Sequence, residues 1–306
     1  MNSPRAPRRA ARLILALSVG LGLGLGAGAL AQSTGAVAPR TYAVKDKDGT
    51  SLPAYTIPDD TAIFRHPDAE AILYGQRLLN ETRRLLPDHV GAAMNCSSCH
   101  VMQGKKPLGA PFINTYNSFP QVNPRAGREM TLEERINGCM IRSMNGKKLP
   151  ADSREMQAMV AYMKWLAQDV PHGARVQIKN GSPIDMDLVP DPARGRAIYG
   201  RQCASCHGAD GEGRKDARGH IVFPPLWGGE SFNIGAGLAR TYKAAAFIYD
   251  NMPMGVHTDG AWGEGRTLSQ QDAVDVAEFF THMPRPDFPL KDKDWPSGKK
   301  PKDARY

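Results

Sequence analysis

The chain has 306 residues, with 39 Lys and Arg against 31 Asp and Glu and a formal charge of +8. Hydrophobic residues make up 41% and charged residues 23%, a balance that excludes a polytopic membrane protein, a collagen-like chain and wholesale disorder. The basic residues are not gathered into one stripe with aromatics between them, so nucleic acid is not an expected partner, and the length allows about two domains.

The chain opens on an expected export signal. Arg5, Arg8, Arg9 and Arg12 precede an apolar run over residues 13–30, and Ala29-Leu30-Ala31 supplies the small-residue cleavage pattern. Cleavage near Ala31 makes Gln32 the mature start, halves the net charge and leaves no stable membrane span. The apolar run is long for such a region, so an uncleaved anchor is the rival reading. Arg8-Arg9 is a weak twin-arginine match and reads as ordinary leader charge.

An exported chain favours disulfides, yet the spacing of the five cysteines points elsewhere. Four of them lie in Cys96-Ser-Ser-Cys99-His100 and Cys203-Ala-Ser-Cys206-His207. Cys-x-x-Cys-His is the attachment signature of c-type haem. Each thiol can form a thioether to a haem vinyl group, and the following imidazole becomes the proximal iron ligand. A zinc site or a redox dithiol needs no His directly after both pairs. Two covalently bound haem c groups are therefore expected, with His100 and His207 as proximal ligands.

The elements around the motifs repeat. Residues 68–86 carry apolar positions near a helical period before the first motif. A Pro/Gly/Asn-rich loop follows to about residue 127. Thr131-x-x-Glu134 opens a helix expected to reach Met144, and residues 153–168 form another with Met156, Met159, Val160 and Met163 on its core face. In the second unit Asp191-Pro192 starts a helix before the motif. Helices over 241–249 and 269–282 follow, the first ending at Met252-Pro253-Met254. The expected fold is all-α, with no strands: two tandem class-I-type cytochrome c domains. The bounds are a signal peptide at 1–31, domains at 32–170 and 191–290, a Pro/Gly-rich linker at 171–190, and a basic, extended tail at 291–306.

The sixth iron ligands distinguish the two sites. Met252 stands 45 residues after His207, with Met254 as its close rival. A thioether ligand raises the potential, which suits an electron exit. At the comparable place in the first unit stands the fifth cysteine, Cys139, 39 residues after His100. A buried small hydrophobe or an unpaired thiol are its bland readings, and Met140 and Met144 are the other available ligands. As a thiolate, Cys139 would lower the first haem's potential. On a helix it shares a face with Arg135, Arg142 and Ser143; Arg125 and Arg128 precede it, and Lys147 and Lys148 follow. So many cations point to an anionic substrate or to haem propionates.

With these residues assembled, the Cys-Ser-Ser-Cys-His site, the Arg135-Ile-Asn-Gly-Cys-Met-Ile-Arg-Ser-Met-Asn-Gly146 segment and the Asn-Met-Pro loop resemble the dihaem thiosulfate dehydrogenases. The resemblance implies a periplasmic enzyme that joins two thiosulfates into tetrathionate, in either direction, and passes electrons to an external c-type cytochrome. It implies that Cys139 is distal ligand and reactive cysteine, and that Arg125 and Ser143 bind substrate, with Arg128 and Arg142 as weaker transfers. Some members exchange a Lys before the Met ligand on reduction; Asn251 stands there here. A plain electron carrier, or a sulfur-transfer haem subunit, are the alternative functions.

Overall fold

The computed structural model describes residues 40–254 and 265–306; the expected leader at 1–31 lies outside them. The helix expected over residues 68–86 folds in two pieces, α1 (Ala69–Asn80) and α2 (Thr82–Leu85). The cause is Thr82, which is fully buried at the break. Its hydroxyl donates back to the Leu78 carbonyl (2.7 Å) and accepts from the Cys96 amide (3.0 Å). Back-bonding of a threonine hydroxyl to the carbonyl four residues earlier weakens and bends a helix; here the hydroxyl also tethers the start of the first Cys-x-x-Cys-His motif.

After that motif come two single turns, α3 (Val101–Gly104) and α4 (Thr115–Ser118), then α5 (Leu132–Met140) and α6 (Arg154–Leu166). Thr131 and Glu134 close the capping box of α5 reciprocally, and Ser153 caps α6. Helix α5 is shorter than expected. It stops at Met140 because the chain folds under itself, with the Met144 amide donating to the Cys139 carbonyl and that of Gly146 to Met140. Met144 in turn accepts from the amides of Gly91 and Ala92, so the approach to Cys96 rests on the end of the Cys139 helix.

The second unit holds α7 (Pro192–Gln202), α8 (Ala204–His207), α9 (Thr241–Asn251) and α10 (Gln270–Thr281). Asp191 caps α7, with Pro192 at its first position, and Ser269 with Asp272 caps α10. Both units are built on one crossing. The helix before the motif packs on the closing helix, and a glycine sits at each contact. A Cβ on Gly75 would lie 2.0 Å from the Ala158 carbonyl oxygen, and one on Gly195 would lie 2.0 Å from that of Asp275. Backbones this close exclude any side chain.

The all-α expectation needs correction: the fold is mostly helical with small antiparallel sheets. Strands β1 (Thr41–Lys45) and β2 (Ser51–Thr56) pair, as do β3 (Gln121–Asn123) with β4 (Arg128–Met130) and β6 (Arg214–Lys215) with β7 (Ile221–Phe223). A two-residue strand, β5 (Arg175–Val176), adds to the other side of β1. Most of these strand residues are exposed, so the period-2 signal is faint. Their sheet nevertheless covers a second small core of Val44, Tyr55, Ile113 and Val176.

Two other expectations change. The linker read at 171–190 begins as part of the first unit, since β5 pairs there and the Asn114 amide exchanges hydrogen bonds with both backbone groups of Val176 (2.8 and 2.9 Å). Its later part docks on the second unit: the Ser182 amide and hydroxyl both donate to Asp250. The tail read as extended over 291–306 is packed. Trp295 is buried, and its amide donates to the Arg125 carbonyl at 2.8 Å.

The two units share polar contacts. Asn233 donates to the Ile141 carbonyl and the Asn145 side chain. Lys106, buried six positions after His100, donates to the Asn251 side chain at 2.8 Å, and Asn251 donates to the Leu108 carbonyl. Asn251 immediately precedes Met252.

Candidate active site

A cavity of about 420 Å³ opens where the first motif faces α5, and its wall includes Cys96, Cys99, His100, Arg135, Cys139 and Ser143. Thr82 fixes Cys96 from below, as described. His100 is fixed by two neighbours: Nδ1 lies 2.7 Å from the Ala110 carbonyl, and the Phe112 ring stacks on the imidazole at 4.1 Å. Commitment of Nδ1 to a carbonyl leaves Nε2 as the coordinating nitrogen, the usual arrangement behind a metal-bound histidine. His207 repeats it in the second unit, with Nδ1 2.9 Å from the Pro224 carbonyl. Burial lowers its pKa, which keeps the ring neutral.

The three thiols at the first cavity are electrostatically unlike. Burial pushes Cys96 up to about 11 and Cys99 up to about 12. Burial also raises Cys139, but the charge of Arg135 and hydrogen bonds from His100 and Arg135 outweigh it, bringing the thiol down to about 6. The Arg135 Nη1 to Cys139 Sγ distance is 2.9 Å. At neutral pH Cys139 is the thiolate of the set.

These residues fit a c-type haem: two neutral thiols stand at the motif spacing for thioether links, a histidine with its back nitrogen anchored lines the same space, and Cys139, hydrogen-bonded by Arg135, lines it too as a candidate second ligand. Among the described residues, no group of three or more His, Cys, Asp or Glu converges as a metal-ion site of its own. In the second unit Met252 is half-buried against the core while Met254 is 53% exposed.

Of the other candidates, Ser143 lines the cavity and three arginines do not. Arg128 points outward and pairs with Glu134 (2.6 Å). Arg142, one turn after Cys139, bonds Asp294 at 2.6 Å and lies over the Phe288 ring. Arg125 donates to the Gly235 carbonyl, stacks on Trp295 and lies 3.7 Å from Asp294. Arg135 carries more weight than the sequence reading gave it. Its signal was the four-residue spacing from Cys139. Arg175, in the former linker, also lines the cavity, and nothing local announced it.

Comparison with known proteins agrees with this geometry. Residues 88–172 match the model of the SoxA/TsdA cytochrome c domain, and residues 190–280 match that of cytochrome c oxidase, cbb3-type, subunit III. The thiosulfate dehydrogenase of Psychrobacter arcticus is 44% identical over 83% of this chain and 75% of its own length. The chain belongs to the thiosulfate dehydrogenase family. A second thiosulfate dehydrogenase, from Allochromatium vinosum, is 41% identical over 78% of this chain and 85% of its own. The solved thiosulfate dehydrogenase TsdBA of Marichromatium purpuratum superposes with a TM-score of 0.69 at 34% identity. That match covers 77% of this chain, which spans about half the length of the TsdBA chain. The two cytochrome c domains of this thiosulfate dehydrogenase family member hold two haem c groups.

Proposed function

We propose that the chain is an exported dihaem enzyme that oxidises two thiosulfates to tetrathionate at the first haem. Electrons would leave through the second haem domain to an external c-type cytochrome. The observation that carries this reading is Cys139, hydrogen-bonded by Arg135 in the wall of the cavity that also holds His100, Cys96 and Cys99. An electron carrier needs no cysteine thiolate beside a paired arginine.

In this reading Cys96 and Cys99 anchor the first haem and Cys203 and Cys206 the second. His100 and Cys139 would hold the iron of the first, and His207 and Met252 that of the second. The haems, when bound, accept one electron each. The Cys139 thiolate forms a bond to the sulfane sulfur of one thiosulfate, giving a Cys139-S-S-sulfonate and releasing two electrons. A second thiosulfate attacks the outer sulfur of that adduct; the Cys139–sulfur bond breaks, tetrathionate leaves and the thiolate returns. Two dianions held about 4 Å apart repel by about 4 kcal/mol even at the dielectric of water. Arg135 and Ser143 in the cavity, with Arg125 and Arg142 beside it, offset that repulsion and orient the sulfonate oxygens. Arg128, paired with Glu134, contributes to the site through the cap of α5 only.

The leader at 1–31, cleaved near Ala31, places the protein in the periplasm. No helix among the described residues is long and apolar enough to cross a membrane. The first-haem domain covers 32–170, extended by β5, and the second-haem domain 191–290.

The test is purified holoprotein with thiosulfate and ferricyanide, following tetrathionate. No tetrathionate at any pH sinks the reading. Cys139→Gly should abolish turnover and leave the spectrum of the second haem intact. An unimpaired variant would return the chain to the class of simple electron carriers.

A further inference from the structure

Nothing in the sequence connects residues 288–306 with the Cys139 turn, yet the fold ties them to it through Arg142. Asp294, whose side chain is only 4% exposed, accepts from Arg142 Nη2 at 2.6 Å and lies 3.7 Å from Arg125 Nε. Its second oxygen also takes the Tyr306 hydroxyl at 2.5 Å. Each guanidinium lies over an aromatic ring of the same segment, Arg125 over Trp295 and Arg142 over Phe288, both with the guanidinium carbon 4.5 Å from the ring centre. The Trp295 amide donates to the Arg125 carbonyl. Arg142 is tied to the Cys139 turn from the other side. Its amide donates to the Cys139 carbonyl at 3.2 Å, and Nη1 to that of Gly138 at 3.4 Å.

An arginine that must find an anion from free rotation loses conformational freedom in doing so, at about 0.5–1.5 kcal/mol per immobilised side chain. Here both side chains are already immobilised. A buried carboxylate without cations would be costly, so the segment and the two arginines hold one another. We propose that Asp294 is a positioning residue of the substrate site, and that with Trp295 and Tyr306 it fixes Arg125 and Arg142, which stand outside the cavity wall, as preset cations for a dianion arriving at Cys139. This rests on the reading of the chain as a thiosulfate-oxidising enzyme and names the part of the chain that completes its anion site.

Charge and positioning predict opposite signs, which makes the idea testable. Removing the carboxylate adds one positive charge to the site and, if charge alone mattered, would lower KM for a dianion. Positioning predicts that KM rises. Asp294→Asn holoenzyme, assayed with thiosulfate and ferricyanide, is expected to show KM raised about tenfold, the loss of roughly one charged hydrogen bond, with kcat within about twofold. Asp294→Glu should recover most of it. Should Asp294→Asn fail to accumulate with both haems, Tyr306→Phe carries the test, with KM expected to rise about threefold. An unchanged or lowered KM, or a loss confined to kcat, overturns the proposal while leaving the activity standing. A wild-type protein that does not oxidise thiosulfate overturns the activity and this inference with it.

Discussion

Thr82→Val tests whether a single hydroxyl holds the first attachment site. Valine has nearly the same shape, so packing in this fully buried position is retained and only the hydroxyl is lost. Two hydrogen bonds go with it: the 2.7 Å bond to the Leu78 carbonyl and the 3.0 Å bond from the Cys96 amide. The carbonyl lies at the break between α1 and α2 and loses its hydroxyl donor. The amide is left without its partner, at a cost of about 1–3 kcal/mol. The added methyl returns part of that through apolar burial, and a net loss of about 1.5 kcal/mol follows. For a fold of this size 1 kcal/mol corresponds to about 2–4 °C, so Tm should fall by about 3–6 °C. Thermal unfolding of the holoprotein by circular dichroism reads this directly, with Thr82→Ser, which keeps the hydroxyl, losing less. A Thr82→Val protein melting within 1 °C of the wild type, or below which Thr82→Ser melts, would refute the tether.

Gly75→Ala and Gly195→Ala should each destabilise by about 1–3 kcal/mol or more through overpacking, because each new Cβ lands 2.0 Å from a backbone oxygen of the partner helix; denaturant midpoints measure it. Arg135→Gln removes the cation 2.9 Å from Cys139 and should lower kcat for thiosulfate at least about tenfold, with the second haem's spectrum unchanged. Glu134 is held down to about 2, chiefly by its hydrogen bond from Arg128 and then by that from the Thr131 amide. Its folded pKa lies below the ordinary 4.5, so its contribution is complete above that value and fades as pH falls toward 2. Glu134→Gln should therefore flatten Tm against pH between those limits, by a small amount because the pair is exposed.

What was legible in the sequence was local. The Cys-x-x-Cys-His pairs, the Thr131-Glu134 box and the Ser269 start each lie within five consecutive residues, and their chemistry acts at that range. Cys139 was legible through the repeat, and Arg135 through one helical turn. The β1–β5 pairing joins residues more than a hundred positions apart through strands with few buried side chains, so no periodicity announced it. Thr82 looked like an ordinary helix residue because its second partner, Cys96, is 14 positions away. Asp294 is 152 positions from Arg142, in a stretch whose lysines and prolines read as solvent-exposed; only the fold shows that Trp295 and Phe288 pull it in.

The contact between Lys106 and Asn251 bears on modularity. Tandem domains are often thought of as beads that can be cut apart, reordered or replaced. Here a buried ammonium from the loop after one attachment site is hydrogen-bonded to the residue next to Met252 in the other. Cutting at the linker would bare that amine on one fragment and strip Asn251 of a donor on the other. Each half would then be less than half of the whole, and transplanting a foreign second domain would require rebuilding this joint before electron flow could be compared.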